Sequence, residues 1–402
     1  MSEVEQQVLT WVASRQDAMV SMLEYITNTN SGSLNKDGLD TLREFFAEEL
    51  RALEFTTQTL PGRVIEMPHC PGSDLSLDLA DHLLATRNGA GTAVLLMGHM
   101  DTVFPPDSPF QQFNMTDGVM TGPGVYDMKG GLVAMLFALR GLQEYGLLDD
   151  HNVSVLLNSD EEMGSLSSRP YLEEQALRHD YGLVFEGSTG NNMIRQRKGL
   201  GQARLVVHGR ASHAGSAHQN GRSAIRELAY KIIEFENMTD YESGLTVNVG
   251  IVGGGEARNM VAPCAEAFID LRYPRPDQGE AAQQQFETIA RTQFSVPQQS
   301  DELRSDLWIN LHRPPKIPTA ASDRLLQRTV AIGTLLGEQI GVADSGGGTD
   351  GSLTQAVGLP TLDSLGVIGS GAHSQREQAA LDSLVQVTSR IAILLHRLLT
   401  EQ

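Results

Sequence analysis

The chain has 402 residues, an apolar fraction of 40% and a formal net charge of −20; that length favours two domains around a sizeable core. The acidic balance repels phosphate and excludes nucleic acid as a partner. Cys70 and Cys264, the only cysteines, stand far apart in unlike contexts, which indicates neither a disulfide framework nor a thiolate metal site.

The start, MSEVEQQVLTWVASRQDAMV, lacks the basic region and continuous apolar core of a signal peptide. No run approaches the ~18 apolar residues of a membrane span. A soluble, cytoplasmic protein with no membrane partner is expected.

Val4 to Tyr25 places apolar residues at helical spacing, and Leu39 to Leu53 reads as a second helix after the polar loop Asn28 to Asp37. Phe55 to Pro61 and Arg63 to Met67 read as a strand pair or a turn into one; Ser73 to Leu84 is ambiguous. Thr92 to His99 is a continuous apolar run suited to a strand buried on both faces. Leu132 to Tyr145 is helical, with Gly146 in the place of a C-cap. Val153 to Asn158 and Tyr181 to Phe185 are further buried strands. This alternation predicts a three-layer α/β unit with a mostly parallel sheet.

The character changes near Lys198. Gln202 to Gly209, Leu245 to Gly250 and Cys264 to Tyr273 read as strands; Gly221 to Phe235 and Gln283 to Thr292 read as helices. The rhythm is that of a small α+β, ferredoxin-like unit with an antiparallel sheet. After the polar Ser295 to Asp306 and His312-Arg-Pro-Pro315, the α/β pattern resumes. It runs through helix Asp323 to Leu336, a glycine-rich turn Ser345 to Gly351, strand Thr361 to Gly366 and helix Gln378 to Leu399. One domain is thus inserted in another: 1–198 with 313–402 as the catalytic unit, 199–312 as the insert.

The candidate chemistry gathers at the C-terminal ends of the strands of the first unit, where loops of open α/β sheets converge. His99 and Asp101 stand at i and i+2 on an extended end and point to one side. Asp127 lies on a glycine-rich turn, Glu161 and Glu162 follow one strand, Glu186 follows the next, and His373 sits in a Gly/Ser loop after the last. Taken singly, each is ordinary: a strand-end histidine, a solvated Glu pair, a helix-capping aspartate. Together, two imidazoles and three carboxylates suffice for two divalent ions sharing one carboxylate. Without thiolate the set suits zinc, with cobalt or manganese as substitutes.

Several motifs run in one order across most of the chain. They are Gly98-His-Met-Asp-Thr-Val103, Gly124-Val-Tyr-Asp-Met-Lys-Gly-Gly131, Ser159-Asp-Glu-Glu-Met-Gly164, Phe185-Glu-Gly187, Gly209-Arg-Ala-Ser-His-Ala-Gly215, Gly346-Gly-Gly-Thr-Asp350 and Gly371-Ala-His373. In them the chain resembles the di-zinc aminoacylase/carboxypeptidase superfamily of metallopeptidases, which includes glutamate carboxypeptidases, acetylornithine deacetylases and succinyl-diaminopimelate desuccinylases.

The resemblance implies that Asp127 bridges two zinc ions, with His99 and Glu186 on one and Glu162 and His373 on the other. Asp101 would set the tautomer of His99, and Glu161 would carry the proton from water to the leaving nitrogen. The Asp127–Met128 peptide would be cis. His213 would reach the partner subunit's site as an oxyanion donor, within a homodimer formed through the insert. Asn259 and Arg272 would hold the substrate's carboxylate or carbonyl. Gly347 and Thr349 would line the pocket through backbone groups, although a plain turn reads equally well there.

Gly-Gly-Gly-Thr-Asp350 and the overall spacing look most like the glutamate carboxypeptidase branch. That branch releases a C-terminal acidic residue from an acyl or peptidyl conjugate. The rivals are a biosynthetic deacylase and a catalytically silent relative that binds a peptide or metabolite.

Overall fold

The computed structural model describes residues 1–70, 76–295 and 301–400. Its centre is a six-stranded sheet in the order Thr56–Leu60, His82–Arg87, His151–Asn158, Ala90–His99, Tyr181–Val184, Thr361–Leu362. Both pairings made by His82–Arg87 are antiparallel, and the other three are parallel.

The apolar run that delivers His99 explains the layering. Successive side chains of a strand point to opposite faces. Val94 and Leu96 accordingly join a core shared with helices Lys129–Glu144 and Leu381–Thr400, whereas Leu95 and Met97 join one shared with helices Arg169–Ala176 and Asp350–Ala356. All four are fully buried, each contributing about 1.5–3 kcal/mol. The result is the expected three-layer arrangement. Helix Lys129–Glu144 lies so close to the sheet that a Cβ on Gly131 would come within 1.9 Å of the Phe185 carbonyl oxygen. The paired glycines of the Asp-Met-Lys-Gly-Gly motif serve that approach.

Residues 199–313 build a second sheet, antiparallel throughout, in the order Thr246–Gly254, Cys264–Tyr273, Gly199–His208, Arg304–Arg313. Ala265, Ala267, Ile269, Leu271 and Tyr273, every second residue of one strand, are buried in a core of their own. Helices Ala224–Glu236 and Pro276–Arg291 cover it, and their Phe235 and Phe286 rings meet at 4.6 Å. Strand order and connections are those of a ferredoxin-like fold.

Several elements differ from the sequence reading. Val4 to Tyr25 is two helices, Glu3–Ala13 and Gln16–Asn28, because Ser14 ends the first by donating from Oγ to the Trp11 carbonyl. Thr56–Leu60 and Val64–Glu66 do not pair with each other. The first joins His82–Arg87 and the second Ser76–Asp78, with Pro61 and Gly62 between them. Residues 73–75 of the ambiguous stretch lie outside the described residues.

Strand Arg304–Arg313 is unforeseen: Leu307, Ile309 and Leu311 pack on the insert's core, but the polar residues around them hide the alternation. Thr361–Leu362 is shorter than expected. The last helix begins only at Leu381, because Gln378–Ala380 is spent pairing with Val119–Thr121.

One expectation is overturned. Cys70 and Cys264 form a disulfide, with Cα atoms 5.9 Å apart, across 194 residues of chain. Cys264 opens a strand of the insert, whereas Cys70 follows Val64–Glu66 outside it. The insertion closes a gap that linear spacing made look prohibitive.

Candidate dinuclear metal centre

The end of strand Ala90–His99 buries His99 to 1% exposure. Its Nδ1 faces the Asp101 carbonyl oxygen at 3.0 Å and the Asp101 carboxylate at 3.4 Å. A proton on Nδ1 shared with these oxygens leaves Nε2 as the donor to a cation. Nε2 stands 3.2 Å from Asp127 Oδ1 and 3.7 Å from Glu186 Oε1. The other Asp127 oxygen, Oδ2, stands 3.3 Å from His373 Nε2, and Glu162 Oε2 stands 3.0 Å from the same nitrogen. The five candidate ligands therefore divide into two sets, with one oxygen of Asp127 turned to each.

Neighbouring chain holds these groups in place. The Asp101 carboxylate is buried and accepts from Ser33 Oγ (2.8 Å) and from the N–H groups of Glu161 (3.2 Å) and Glu162 (3.1 Å). It thereby fixes the turn that lets adjacent glutamates aim into one site. The Asp127–Met128 peptide is cis. Glu377, buried to 1%, accepts from the N–H groups of Gly124, Tyr126 and Asp127, at 3.2, 2.9 and 3.0 Å. No local pattern around Glu377 announces that role. His373 has φ +60°, a left-handed conformation that swings its ring back over the cluster.

The chemistry of this donor set fits divalent ions. Atoms bound at 2.0–2.1 Å to a tetrahedral ion stand about 3.3 Å from one another, and the N···O separations within the two sets bracket that value. With protons alone, burial and the charge of Asp127 push Glu162 and Glu186 up to about 8. Hydrogen bonds to Asp127 and Glu162 push His373 up to about 11. Against the penalty of burial, His373 and His99 hold the Asp127 carboxyl far below the usual range. Such a cluster keeps its full negative charge only where positive charge is supplied at its centre.

Asp127, Glu162, Glu186 and His373 of the cluster line a cavity of about 360 Å³ together with Arg197, Arg272 and Arg313. Arg272 donates to Asp270 (2.7 Å) and to the Gly346 carbonyl (3.1 Å). Gly347 lines the same cavity, and its carbonyl accepts from Arg197 at 3.3 Å. Thr349 does not line the cavity. It is fully buried, and its Oγ1 accepts from the Gly351 N–H at the start of helix Asp350–Ala356. His213 and Asn259 are also absent from that lining. They lie together in the insert, where the Ala214 N–H donates to the Asn259 carbonyl and His213 Nδ1 accepts from Gly215 and Ser216.

Sequence reasoning missed Arg313. Its Nη2 donates to Glu161 Oε1 at 2.6 Å and its Nη1 to Asp350 Oδ1 at 2.9 Å. Arg197 lies in the Gln196-Arg-Lys-Gly199 junction, whose cations suit an anionic substrate or a plain domain boundary; it forks onto Asp363 at 2.6 and 3.1 Å. The only signal for Arg313 was its place in His-Arg-Pro-Pro, which reads as punctuation.

The model of peptidase family M20/M25/M40 matches residues 95–397, a span that takes in both halves of the centre and the insert. The chain belongs to this peptidase family. Carboxypeptidase G2 of Pseudomonas sp. (strain RS-16) is 30% identical over 368 residues, covering 90% of this chain and 85% of the relative. Acetylornithine deacetylase of Proteus mirabilis (strain HI4320) is 29% identical over 206 residues, covering 48% and 52%. Among solved structures, the Bacillus subtilis YXEP protein, a dinuclear metal-binding peptidase, superposes with a TM-score of 0.63 at 14% identity. That match covers 96% of this chain and 99% of the other. As an M20/M25/M40 peptidase, the chain is a metal-dependent amide hydrolase.

Proposed function

We propose that the chain is a di-zinc, glutamate-carboxypeptidase-like hydrolase that releases a C-terminal amino acid from a small acyl or peptidyl conjugate. The observation that carries the reading is Asp127, one oxygen toward His99 and the other toward His373. It supports Asp127 as the carboxylate that the two ions would share, with Glu186 in the first set and Glu162 in the second; cobalt or manganese could replace zinc. When bound, the two ions acidify water and polarise the amide carbonyl.

The chain's own residues do the rest. Glu161, with Oε1 held by Arg313, uses Oε2 to take the proton from water and deliver it to the leaving nitrogen. Asp101 keeps His99 in the tautomer that presents Nε2. Arg272 and the Gly347 backbone would face the substrate's carboxylate, and the three guanidiniums that line the cavity suit an anionic product. The similarity to carboxypeptidase G2 along 90% of the chain supports the same branch.

The catalytic unit is 1–198 with 313–402, and 199–312 is the insert that forms a homodimer. Strand Thr246–Gly254 is an unpaired edge of its sheet. Val252 on this strand and Ile225 and Ile233 on the neighbouring helix are 47–56% exposed, an apolar edge that suits a second copy. His213 and Asn259, which do not line the cavity of their own chain, would then complete the partner's site.

Among the described residues no helix is long and apolar enough to cross a membrane. We place the chain in the cytoplasm, a placement that the Cys70–Cys264 disulfide counts against because such bonds are rare in cytosolic proteins. Cell fractionation tests it.

The test is hydrolysis of a panel of N-acyl and dipeptide substrates by zinc-loaded protein, with the released amino acid identified. Release of C-terminal glutamate or aspartate is expected. Preference for acetylated or succinylated basic substrates would move the chain to the deacylases, the reading favoured by the acetylornithine deacetylase match along 48% of the chain.

A further inference from the structure

The chain passes between its two sheets twice, at Arg197–Gly199 and at Arg313, and each passage ends in a buried arginine. Arg197 is 8% exposed and locked to Asp363; Arg313 is 1% exposed and locked to Asp350. Arg197 also reaches the Gly347 carbonyl at 3.3 Å, but of the two only Arg313 grips a carboxylate of the site. Its Nη2 donates to Glu161 Oε1 at 2.6 Å and to the Glu161 carbonyl at 3.2 Å. Asp350, at the other end of the guanidinium, accepts from Ser165 Oγ at 2.6 Å and from Asn158 Nδ2 at 2.8 Å. Asn158 closes the sheet strand that leads to Glu161. A closed ring of hydrogen bonds therefore runs from the sheet, through Asp350 and Arg313, to the carboxylate and the backbone of Glu161.

We propose that Arg313, backed by Asp350, is a positioning residue that fixes the Glu161 carboxylate and ties its orientation to the chain crossing between the two units. The proposal rests on Glu161 being the general base. A glutamate has three rotatable bonds, and proton transfer requires one oxygen held within hydrogen-bond reach of the water and the leaving nitrogen. The planar guanidinium presents its donors in a rigid fork. Anchored at Asp350, it takes up Oε1 and leaves Oε2 free. A lysine ammonium is a point charge without that fork, so it would neutralise Glu161 without aiming it. Asp350 is 2% exposed and does not line the cavity, so it influences turnover only at second hand, through Arg313 and through the Ser165 and Asn158 donors that flank the Glu161 turn.

The experiment compares Arg313→Lys, Asp350→Asn and Glu161→Gln in the zinc-loaded dimer. It reads kcat and KM separately, together with metal content and melting temperature. Arg313→Lys and Asp350→Asn are expected to lower kcat by about 10–100-fold, the usual cost of a misplacement near 1 Å, with KM within threefold and two metals retained. A crystal structure of Asp350→Asn is expected to show the Glu161 carboxylate displaced or in two conformers.

For Arg313→Ala, millimolar guanidinium is expected to restore part of kcat without raising the melting temperature; a loss caused only by weakened packing would not respond. An unchanged kcat in both Arg313→Lys and Asp350→Asn, or a loss confined to KM, would overturn the proposal. Full activity in Glu161→Gln would instead remove the general-base reading on which it stands.

Discussion

Breaking the Cys70–Cys264 bond is expected to lower stability without touching the metal centre. The bond closes a segment with a sequence separation of 194 residues. Loop-closure entropy over that length corresponds to about 5 kcal/mol, and typical disulfides contribute about 2–4 kcal/mol. For a chain of this length the entropy of unfolding is about 0.8 kcal/mol per degree, so removal should lower Tm by about 3–6 °C.

The geometry shows where the loss begins. Cys264 lies at one end of its ten-residue strand, and Tyr273, beside the crossing at Gly199, lies at the other. The bond thus anchors the insert about 30 Å from its covalent hinge. Without it, the insert is held outside the hinge by non-covalent contacts alone, among them the hydrogen bonds from Arg169 to the Leu311 carbonyl, from Gln202 to the Met163 carbonyl and from Arg272 to the Gly346 carbonyl. The assay is calorimetry of wild type and Cys70→Ser/Cys264→Ser, each with and without a phosphine reductant. Wild type should shift on reduction and the variant should not. Two free thiols in unreduced, denatured protein, or a melt indifferent to reductant, would refute the reasoning.

Further outcomes follow from the same geometry. Glu161→Gln should lower kcat by about 10²–10⁴-fold with both metals retained by elemental analysis, whereas His99→Ala should lose metal as well as activity. His213→Ala should lower kcat by about 10²–10³-fold in a dimer that light scattering finds intact, and Ile233→Arg should yield an inactive monomer; a fully active monomer would contradict the cross-subunit role. Glu5 is held at about 2 instead of 4.5, chiefly by the hydrogen bond from Arg397. The depressed folded-state value means this stabilisation is present above about pH 4.5 and lost as pH falls toward 2. With the Arg397 side chain 31% exposed, Glu5→Gln should cost about 1–2 kcal/mol at pH 7, and denaturant melts of the two proteins should converge near pH 2.

His99, Glu162 and Glu186 were legible because each follows the end of an apolar run, and strand ends are local features; Asp127 and His373 sit instead in glycine-rich turns. Thr92 to Met97 announces a buried strand by composition alone, so the position of His99 at its tip follows without any knowledge of the neighbours. The same holds for Glu161 and Glu162 after Val153 to Asn158, and for Glu186 after Tyr181 to Phe185. Alternation likewise revealed the insert's strand Cys264–Tyr273, buried at every second residue. It failed at Arg304–Arg313, where every residue before the last is at best half-buried and polar side chains interrupt the pattern.

Tertiary structure alone decided the groups that hold the site in shape. Arg313 meets Glu161 across 152 residues, Glu377 caps the Asp127 turn across 250, and Cys70 finds Cys264 across 194. Periodicity reports only on a residue's neighbours within a turn of helix or a stretch of strand. A contact between distant segments leaves no such trace, because it depends on how the layers stack and where the insert folds back. The strand ends that carry the candidate ligands were therefore readable from the sequence, while the disulfide and the guanidinium that meets Glu161 emerged only when the two sheets were placed side by side.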